Sequence, residues 1–231
     1  MTFPLNNTSV GLLLSGGLDS AILLGTLLER NGRVQPFYVR SHLAWEAAEL
    51  AAVRRLLAAM ASPRLAELVV LDMPADDLYG SHWSVTGRGV PGADTPDAAV
   101  YLPGRNALLL IKPAIWCGMN GIEELALAVL ATNPFGDATP EFFRDFESAL
   151  HRATGARVRL SLPFAQRTKG QVMELGRHLP LELTFCCIAP IDGLHCGRCN
   201  KCAERIEAFR AAGIEDRTHY AGNSPEAPCS T

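Results

Sequence analysis

Two adjacent glycines and several short polar side chains stand near the start of the chain, in the stretch LLLSGGLDS. The apolar run before them predicts a buried strand, and Gly16 and Gly17 allow a sharp turn that leaves backbone N–H groups facing outward. Ser15, Asp19 and Ser20 add hydroxyls and a carboxylate, and the helix expected to follow points its positive end at the turn. Together these residues predict a phosphate-binding site.

This turn differs from the two commonest nucleotide-binding loops, because it lacks both the Gly-Lys-Ser/Thr of a P-loop and the third, spaced glycine of a dinucleotide fold. It resembles, in all five fixed letters, the S-G-G-x-D-S loop of the N-type ATP pyrophosphatases, the PP-loop superfamily. In that superfamily the loop grips the β- and γ-phosphates of ATP while a substrate oxygen attacks the α-phosphate. The residues that this resemblance implies for ATP binding are Leu14, Ser15, Gly16, Gly17, Leu18, Asp19 and Ser20.

A second constellation is HCGRCNKC, in which Cys196, Cys199 and Cys202 have the spacing C-x-x-C-x-x-C, with Cys186 and Cys187 upstream. Crowding of this kind in a chain without a secretory signal predicts a metal site rather than disulfides. Four thiolates suit a structural, tetrahedral Zn²⁺, and we take Cys187 as the fourth ligand with Cys186 as its alternative. An Fe–S cluster is the main rival, although no proline follows Cys202 to complete a ferredoxin-like run.

Composition limits the function classes. The chain has 231 residues, 48% of them hydrophobic, which is enough for one α/β domain with a small appendage. A formal net charge of −3 gives no general attraction to nucleic acid. No apolar run approaches the ~20 residues needed to span a bilayer, and the start lacks the features of a secretory signal. We therefore expect a soluble, cytoplasmic protein with no membrane partner.

The elements that must position these residues alternate between strand and helix. After the strand that precedes the glycine turn, the predicted strands are 34–38, 68–71, 124–131 and 156–162. The predicted helices are 20–30, 44–60, 141–154 and 168–178, with a further helix after YLPGRN that Pro113 should kink or cut. This alternation predicts an α/β fold, a doubly wound parallel sheet of about five strands with ligands beyond the carboxyl ends of the strands.

The domain organisation predicted from these elements has three parts. Residues 1–180 form the PP-loop ATP pyrophosphatase domain, 181–220 a zinc-binding helical segment, and 221–231 a disordered tail. A long stretch rich in Gly, Pro and Asp at 74–103 is interpreted as a lid or substrate loop.

Four motifs in order resemble the 7-cyano-7-deazaguanine synthases, the nitrile-forming enzymes of the queuosine pathway. They are SGGLDS, YLPGRN, RTKGQVMELG and the cysteine-rich end from LELTFCC onward. The resemblance implies that ATP, with Mg²⁺ on its phosphates, activates the carboxylate of 7-carboxy-7-deazaguanine as an adenylate. Ammonia then gives the amide, which is activated again and dehydrated to the nitrile. The resemblance also implies a homodimer.

Within these motifs the resemblance implies roles for single residues. The catalytic set is Ser15, Asp19, Arg105 and Lys169, in which the two cations stabilise charge that builds on the phosphates. Tyr38, after which His42 sits roughly where the family has a histidine, joins the loop in binding the nucleotide.

One segment departs from the family pattern. TNPFGDATPEFF has Asn133 and Asp137, with three residues between them, as remnants of an Asn-x-x-Asp element, but lacks the Tyr-Pro-Asp-Cys-Arg that should follow. Val39 and Ser41 replace an expected glycine and arginine. The second hypothesis is therefore a synthase-like paralogue that adenylates a different acceptor. It would modify nucleic acid or join a deazapurine to a protein end, for example in a defence system, and would then have a protein partner.

Two further alternatives remain from the residues. One is a tRNA-thiolating enzyme, for which Cys117 is the only isolated core cysteine, although a buried thiol is more often a small hydrophobe. The other is a non-enzymatic protein in which the cysteine-rich end is an interaction module and the loop only senses ATP.

Overall fold

The computed structural model describes residues 6–222, apart from the side chains of residues 6–8 and 31. The tail predicted at 221–231 lies, except for its first two residues, outside the described residues. None of the helices in the described part of the chain combines the length and apolar character needed to cross a membrane.

Five parallel strands form one sheet in the order β3-β2-β1-β4-β5, as the alternation of strand and helix predicts. The strands are β1 (Asn6–Leu13), β2 (Asn31–Arg40), β3 (Val69–Asp72), β4 (Glu124–Ala126) and β5 (Arg159–Ser161). The strand order reverses between β1 and β4, and a crevice for ligands lies at such a switch point beyond the carboxyl ends of the strands.

Eight α-helices are described. They are α1 (Leu18–Arg30), α2 (Glu46–Ala59), α3 (Asp76–Tyr79), α4 (Trp83–Thr86), α5 (Arg105–Met119), α6 (Pro140–Thr154), α7 (Lys169–Leu175) and α8 (Asn200–Ala212). The 74–103 segment, expected to be irregular, contains α3, α4 and a 3₁₀ turn at Asp97–Val100.

Alternation along β1 builds a core on each face of the sheet. Val10 and Leu12 point into one core, with α1, α7 and the α8 residues Ala208 and Phe209. Gly11 points to the other, where a Cβ atom would lie 2.8 Å from the Cys117 sulfur. Because α8 packs in the first core, the cysteine-rich end is built onto the sheet domain; the boundary at 180 stays a prediction.

Two expectations about elements are wrong. The fourth strand spans only Glu124–Ala126 and does not extend to residue 131. After Ala126 the chain leaves the sheet and lines the crevice. Of the two outcomes expected at Pro113, the cut is wrong, because α5 runs as one helix from Arg105 to Met119, while the kink stays a prediction. A proline removes one backbone hydrogen bond, and burial of Pro113 with the apolar face of α5 offsets that loss.

Candidate active site

The glycine turn lies at the carboxyl end of β1, beside the switch point. Leu14 is buried and donates its N–H to Phe37 O at 2.8 Å, which anchors the start of the turn on β2. Among the described residues, the backbone N–H groups from Ser15 to Ser20 donate to no protein acceptor. They lie at the first turn of α1, where unpaired donors and the helix dipole favour an anion. The turn is therefore suited to phosphate.

Gly16 gives the turn its shape. Its φ is +82°, and a Cβ atom there would lie 2.9 Å from Val53 of α2. Its carbonyl accepts a hydrogen bond of 2.7 Å from Phe185 N, so the cysteine-rich end contacts the turn directly. Inside the turn, Ser15 Oγ donates to Ser20 Oγ at 3.2 Å, and Ser20 Oγ donates to Gly17 O at 3.1 Å.

A chain of four charges runs from the turn across to α8. Lys169, the first residue of α7, contacts Asp19 at 2.6 Å and Glu204 at 3.3 Å, and Glu204 also pairs with Lys201 at 2.7 Å. Burial raises the pKa of Asp19, and Lys169 opposes that shift. Burial would lower the pKa of Lys169, but the two carboxylates reverse this and leave it raised. The lysine is thus held as a cation beside the phosphate turn.

Arg105 begins α5 on another wall of the crevice. Its guanidinium lies 5.8 Å from the centre of the Trp45 ring, and its Nε is buried with no hydrogen-bond partner among the described residues. The next residue, Asn106, is held by Asp137, whose carboxylate accepts from Asn106 N at 3.0 Å and whose carbonyl accepts from the side-chain amide at 2.9 Å. Asp137 of the altered segment therefore anchors the start of the helix that carries Arg105.

Tyr38, whose role in nucleotide binding stays a prediction, lies in the core and is 2% exposed. Its hydroxyl donates to Glu49 Oε2 at 2.7 Å, and it is Glu49 that lines a cavity beside the turn. Burial raises the pKa of Glu49 to about 7, although Arg105 opposes the shift. Spacing gave no signal for Glu49, because the residue belongs to an ordinary helix pattern on α2 and only the fold brings it to the turn.

Four cavities surround the turn. Three have volumes of about 440, 210 and 180 Å³, and a fourth of about 180 Å³ lies over Asp19 and Lys169. The 210 Å³ cavity lies at the switch point, between the turn and the chain that follows β4. The largest lies between that chain and α8, and Asn133 and Phe135 of the altered segment line it.

The cysteine-rich end gathers four sulfurs. Cys187, Cys196, Cys199 and Cys202 are all buried, and their sulfur atoms lie within 4.8 Å of one another. Two of the sulfur–sulfur distances, Cys187 to Cys199 and Cys196 to Cys202, are 3.9 Å. Cys186 is outside the group; its thiol donates to Lys201 O at 3.2 Å. The fold thus leaves one arrangement of four thiolates that could hold a metal ion.

Two other residues singled out in the sequence lie outside the site. Cys117 is fully buried in the core on one face of the sheet, and burial raises the pKa of its thiol to about 12, as expected of a packing group. His42 is exposed, has a φ of 57°, and pairs with Asp76 of α3 at 3.1 Å.

Comparisons with known proteins find a family model and several relatives that match most of the chain. A family model described as Queuosine biosynthesis protein QueC matches residues 9–213. A 7-cyano-7-deazaguanine synthase of Thiobacillus denitrificans is 32% identical over 225 residues, 90% of this chain and 96% of that one. One of Xanthomonas campestris pv. campestris is 31% identical over 229 residues, 92% and 97% of the two chains.

Among solved structures, the U34-tRNA thiolase NcsA from Methanococcus maripaludis with its 4Fe-4S cluster has a TM-score of 0.48 and 14% identity. The match covers 96% of this chain and 79% of that chain. The identity of the metal follows from the geometry of the four sulfurs and not from this likeness.

Proposed function

Because the chain belongs to the Queuosine biosynthesis protein QueC family, we propose that it is an ATP-dependent ligase that adenylates a carboxylate with release of pyrophosphate. The substrate is 7-carboxy-7-deazaguanine, and ammonia converts the adenylate to the amide and, after a second activation, to 7-cyano-7-deazaguanine. The observation that carries the proposal is the Ser15–Ser20 turn at the β1/β4 switch point with its N–H groups unpaired.

The turn binds the phosphates, and the two cations, Lys169 and Arg105, stabilise the charge that develops during the reaction. The N–H groups from Ser15 to Ser20 hold the β- and γ-phosphates, so that a carboxylate oxygen attacks the α-phosphorus and pyrophosphate leaves. Lys169 approaches from α7, and Arg105 from α5 with its Nε free for an oxyanion. A carboxylate is a poor electrophile, and its conversion to an adenylate gives the acyl carbon a good leaving group.

Mg²⁺ fits this site because Asp19 presents a carboxylate, three-quarters buried, beside the phosphate turn. Oxygen ligands of this kind, together with the phosphates themselves, are what Mg²⁺ prefers. When bound, the ion neutralises phosphate charge.

The metal of the cysteine group is proposed to be structural Zn²⁺ held by Cys187, Cys196, Cys199 and Cys202. Tetrahedral thiolates at ~2.3 Å from zinc lie about 3.8 Å apart, and the two closest sulfur pairs are 3.9 Å apart. A 4Fe-4S cluster would hold its ligand sulfurs further apart, because irons and sulfides lie between them. Four thiolates leave no open position for chemistry at the metal.

The test is a reaction of the zinc-loaded protein with ATP, Mg²⁺, ammonia and 7-carboxy-7-deazaguanine, followed by measurement of AMP and of the mass of the base. We expect AMP, pyrophosphate and a base converted to the amide or nitrile. Neither AMP nor a mass change would contradict the proposal. Arg105→Lys, which keeps the charge but loses the planar guanidinium, is expected to form AMP at least tenfold more slowly.

A second candidate function follows from the altered segment. Asn133, Pro134 and Phe135 line the 440 Å³ cavity beside the turn, in a segment that lacks the Tyr-Pro-Asp-Cys-Arg element. Formation of AMP with the carboxylate, but no amide with ammonia, would favour transfer to another acceptor such as a nucleic acid or a protein end. Amide or nitrile at a rate comparable to AMP formation would rule that candidate out.

We further propose that the protein is a homodimer, as its resemblance to the 7-cyano-7-deazaguanine synthases implies. Met119 at the end of α5 is 80% exposed and Leu78 on α3 is 63% exposed, so apolar surface is available for a second copy. Light scattering at several concentrations distinguishes a dimer from a monomer.

A further inference from the structure

One of the two smaller cavities beside the turn has the composition of an acceptor site. We name it the acceptor cavity; Ser15, Gly17, Glu49, Trp83, Arg105 and Lys201 line it, and its volume is about 180 Å³. One wall is the phosphate turn and another is Trp83, which stacks on buried Trp45 with ring centres 5.8 Å apart. A planar acyl group activated on the turn would lie between these walls, with Arg105 available for its oxyanion.

Glu49 is the only carboxylate that lines this cavity among the described residues. It packs against the turn, since its Cγ lies 3.5 Å from the position of a Cβ on Gly16. The hydrogen bond from the buried Tyr38 hydroxyl to Oε2 fixes its orientation. The other carboxylates near the turn, Asp19 and Glu204, are held by Lys169.

We propose that Glu49 is the proton acceptor for the amine nucleophile that attacks the adenylate. The inference rests on the proposed function. As the new C–N bond forms, the nitrogen gives a proton to the Glu49 carboxylate; the bond from the acyl carbon to the AMP oxygen then breaks, and AMP leaves with that electron pair.

The chemistry of this step requires such a group. Ammonia is mostly ammonium at neutral pH, and the nitrogen of the addition intermediate carries a positive charge until it loses a proton. Arg105 and Lys201, on the other walls of the acceptor cavity, are cations and cannot accept that proton. A carboxylate whose pKa is raised by burial to about 7 is well matched to proton transfer at neutral pH.

Groups on several elements face Glu49 and will affect its titration. They are Tyr38 on β2, Glu46 one turn earlier on α2, Arg105 on α5, Lys201 on α8 and the Cys186 thiol. Lys201 is fixed by Glu204, and burial raises the pKa of Cys186 to about 12. Glu49 is therefore the group of this cavity whose raised pKa lies near neutral pH.

The test separates the two half-reactions in Glu49→Gln, which keeps the size of the side chain and a partner for Tyr38. Carboxylate-dependent exchange of labelled pyrophosphate into ATP reports adenylation, which precedes the step assigned to Glu49. Amide formation from ammonia reports that step. We expect amide formation to fall 10²–10³-fold, and exchange to fall far less. With hydroxylamine, which is uncharged at neutral pH, hydroxamate should form much faster than amide in the variant.

The pH profile gives a second readout. At a constant concentration of free ammonia, amide formation by the wild type should lose rate below about pH 7 as Glu49 gains a proton, and this limb should be absent in Glu49→Gln. Glu49→Asp, which retains a carboxylate, should recover part of the amide rate. Glu29→Gln, an exposed carboxylate near the end of α1, is the matched control and should leave both half-reactions unchanged.

Equal losses of exchange and amide formation in a folded Glu49→Gln would overturn the assignment, and so would amide formation at the wild-type rate. Thermal unfolding and zinc content establish whether Glu49→Gln is folded. If it is not, Glu49→Asp becomes the deciding variant: the acid limb of its pH profile must move if Glu49 is the proton acceptor. A wild-type protein without carboxylate-dependent exchange contradicts the proposed function itself.

Discussion

Lys169 contacts two carboxylates that are far apart in the sequence, Asp19 and Glu204. Without a nucleotide, these carboxylates balance the lysine charge and hold its ammonium group at the turn. A phosphate that enters the turn competes for the same ammonium group. Under the proposed function, the lysine is positioned before ATP arrives, which would lower the cost of orienting it during adenylation.

We expect Lys169→Met to lower pyrophosphate exchange by about 10²–10³-fold, because an ammonium group beside the transferring phosphate is lost. Lys112→Met is the matched control, since Lys112 is an exposed lysine on α5 outside the four cavities. Exchange at a similar rate in the two variants would remove Lys169 from the catalytic set.

Gly16→Ala should destabilise the protein by about 1–3 kcal/mol. The alanine must adopt a left-handed backbone, and its Cβ would meet Val53 at 2.9 Å. Gly17→Ala is the comparison, because the nearest atoms to a Cβ there are 3.8 Å away. Denaturant unfolding of both variants measures the difference, and equal stability would contradict the strain assigned to Gly16.

Stability should fall with rising pH because of Glu49. Its pKa is about 7 in the folded protein, above the ordinary value of 4.5, so the native state keeps this proton where the unfolded chain has lost it. The resulting contribution is complete below about pH 4.5 and is lost as the pH rises through 7. From about pH 5 to about pH 8, the wild type should lose up to roughly 3 kcal/mol of unfolding free energy relative to Glu49→Gln. A constant difference would show that Glu49 titrates normally.

At the scale of elements, helix α7 presents Lys169 through its cap. Thr168 Oγ1 accepts from Gln171 N, and the Gln171 side chain accepts in return from Thr168 N, so the helix begins at one defined residue. Because Lys169 follows directly, the cap also sets the direction from which the lysine enters the turn.

Thr168→Ala should cost about 1 kcal/mol of stability and also raise the KM for ATP. Thr139→Ala removes the equivalent cap of α6, where Thr139 accepts from Phe142 N. It should cost a similar amount with less effect on KM. Equal KM values in the two variants, measured by pyrophosphate exchange, would mean that the α7 cap has only a structural role.

The altered segment is joined to the YLPGRN motif more closely than the sequence indicates. Phe135 stacks on Tyr101 with ring centres 4.9 Å apart, and Asp137 holds Asn106. Substitutions in this segment therefore change the surroundings of Arg105 as well as the lining of the 440 Å³ cavity beside the turn. A change in this segment that alters which acceptor is bound would therefore also move Arg105, a residue of the proposed catalytic set.

The sequence predicted the parallel sheet and its helices because apolar runs and glycine turns are local signals. It could not predict where β4 ends, since the residues from Leu127 to Leu130 are as apolar as a strand although β4 stops at Ala126. It also did not predict Glu49, whose position depends on packing α2 beneath the turn. The choice of Cys187 over Cys186 likewise needed the fold, because adjacent residues point in different directions.

At the scale of the whole molecule, the cysteine group stabilises more than its own segment. Phe185, two residues before Cys187, donates to Gly16 O at 2.7 Å, and α8 packs into the core beneath α1. Loss of the metal should therefore loosen the phosphate turn as well as the cysteine-rich end.

Cys187→Ser should lower the zinc content, the unfolding temperature and pyrophosphate exchange together, because a ligand is lost and the turn loses its support. Cys186→Ser should keep a full complement of zinc, measured by metal analysis. Full zinc in Cys187→Ser together with zinc loss in Cys186→Ser would reverse the assignment of the fourth ligand.

The contact between Phe185 and Gly16 also bears on how the protein is made. The turn leaves the ribosome early, but its partner follows only after most of the chain has been synthesised. An incomplete chain can pair β1 with β2, yet it lacks α7, α8 and the cysteine group. We therefore expect the turn to reach its final geometry only after the segment that carries Phe185 has been synthesised and folded.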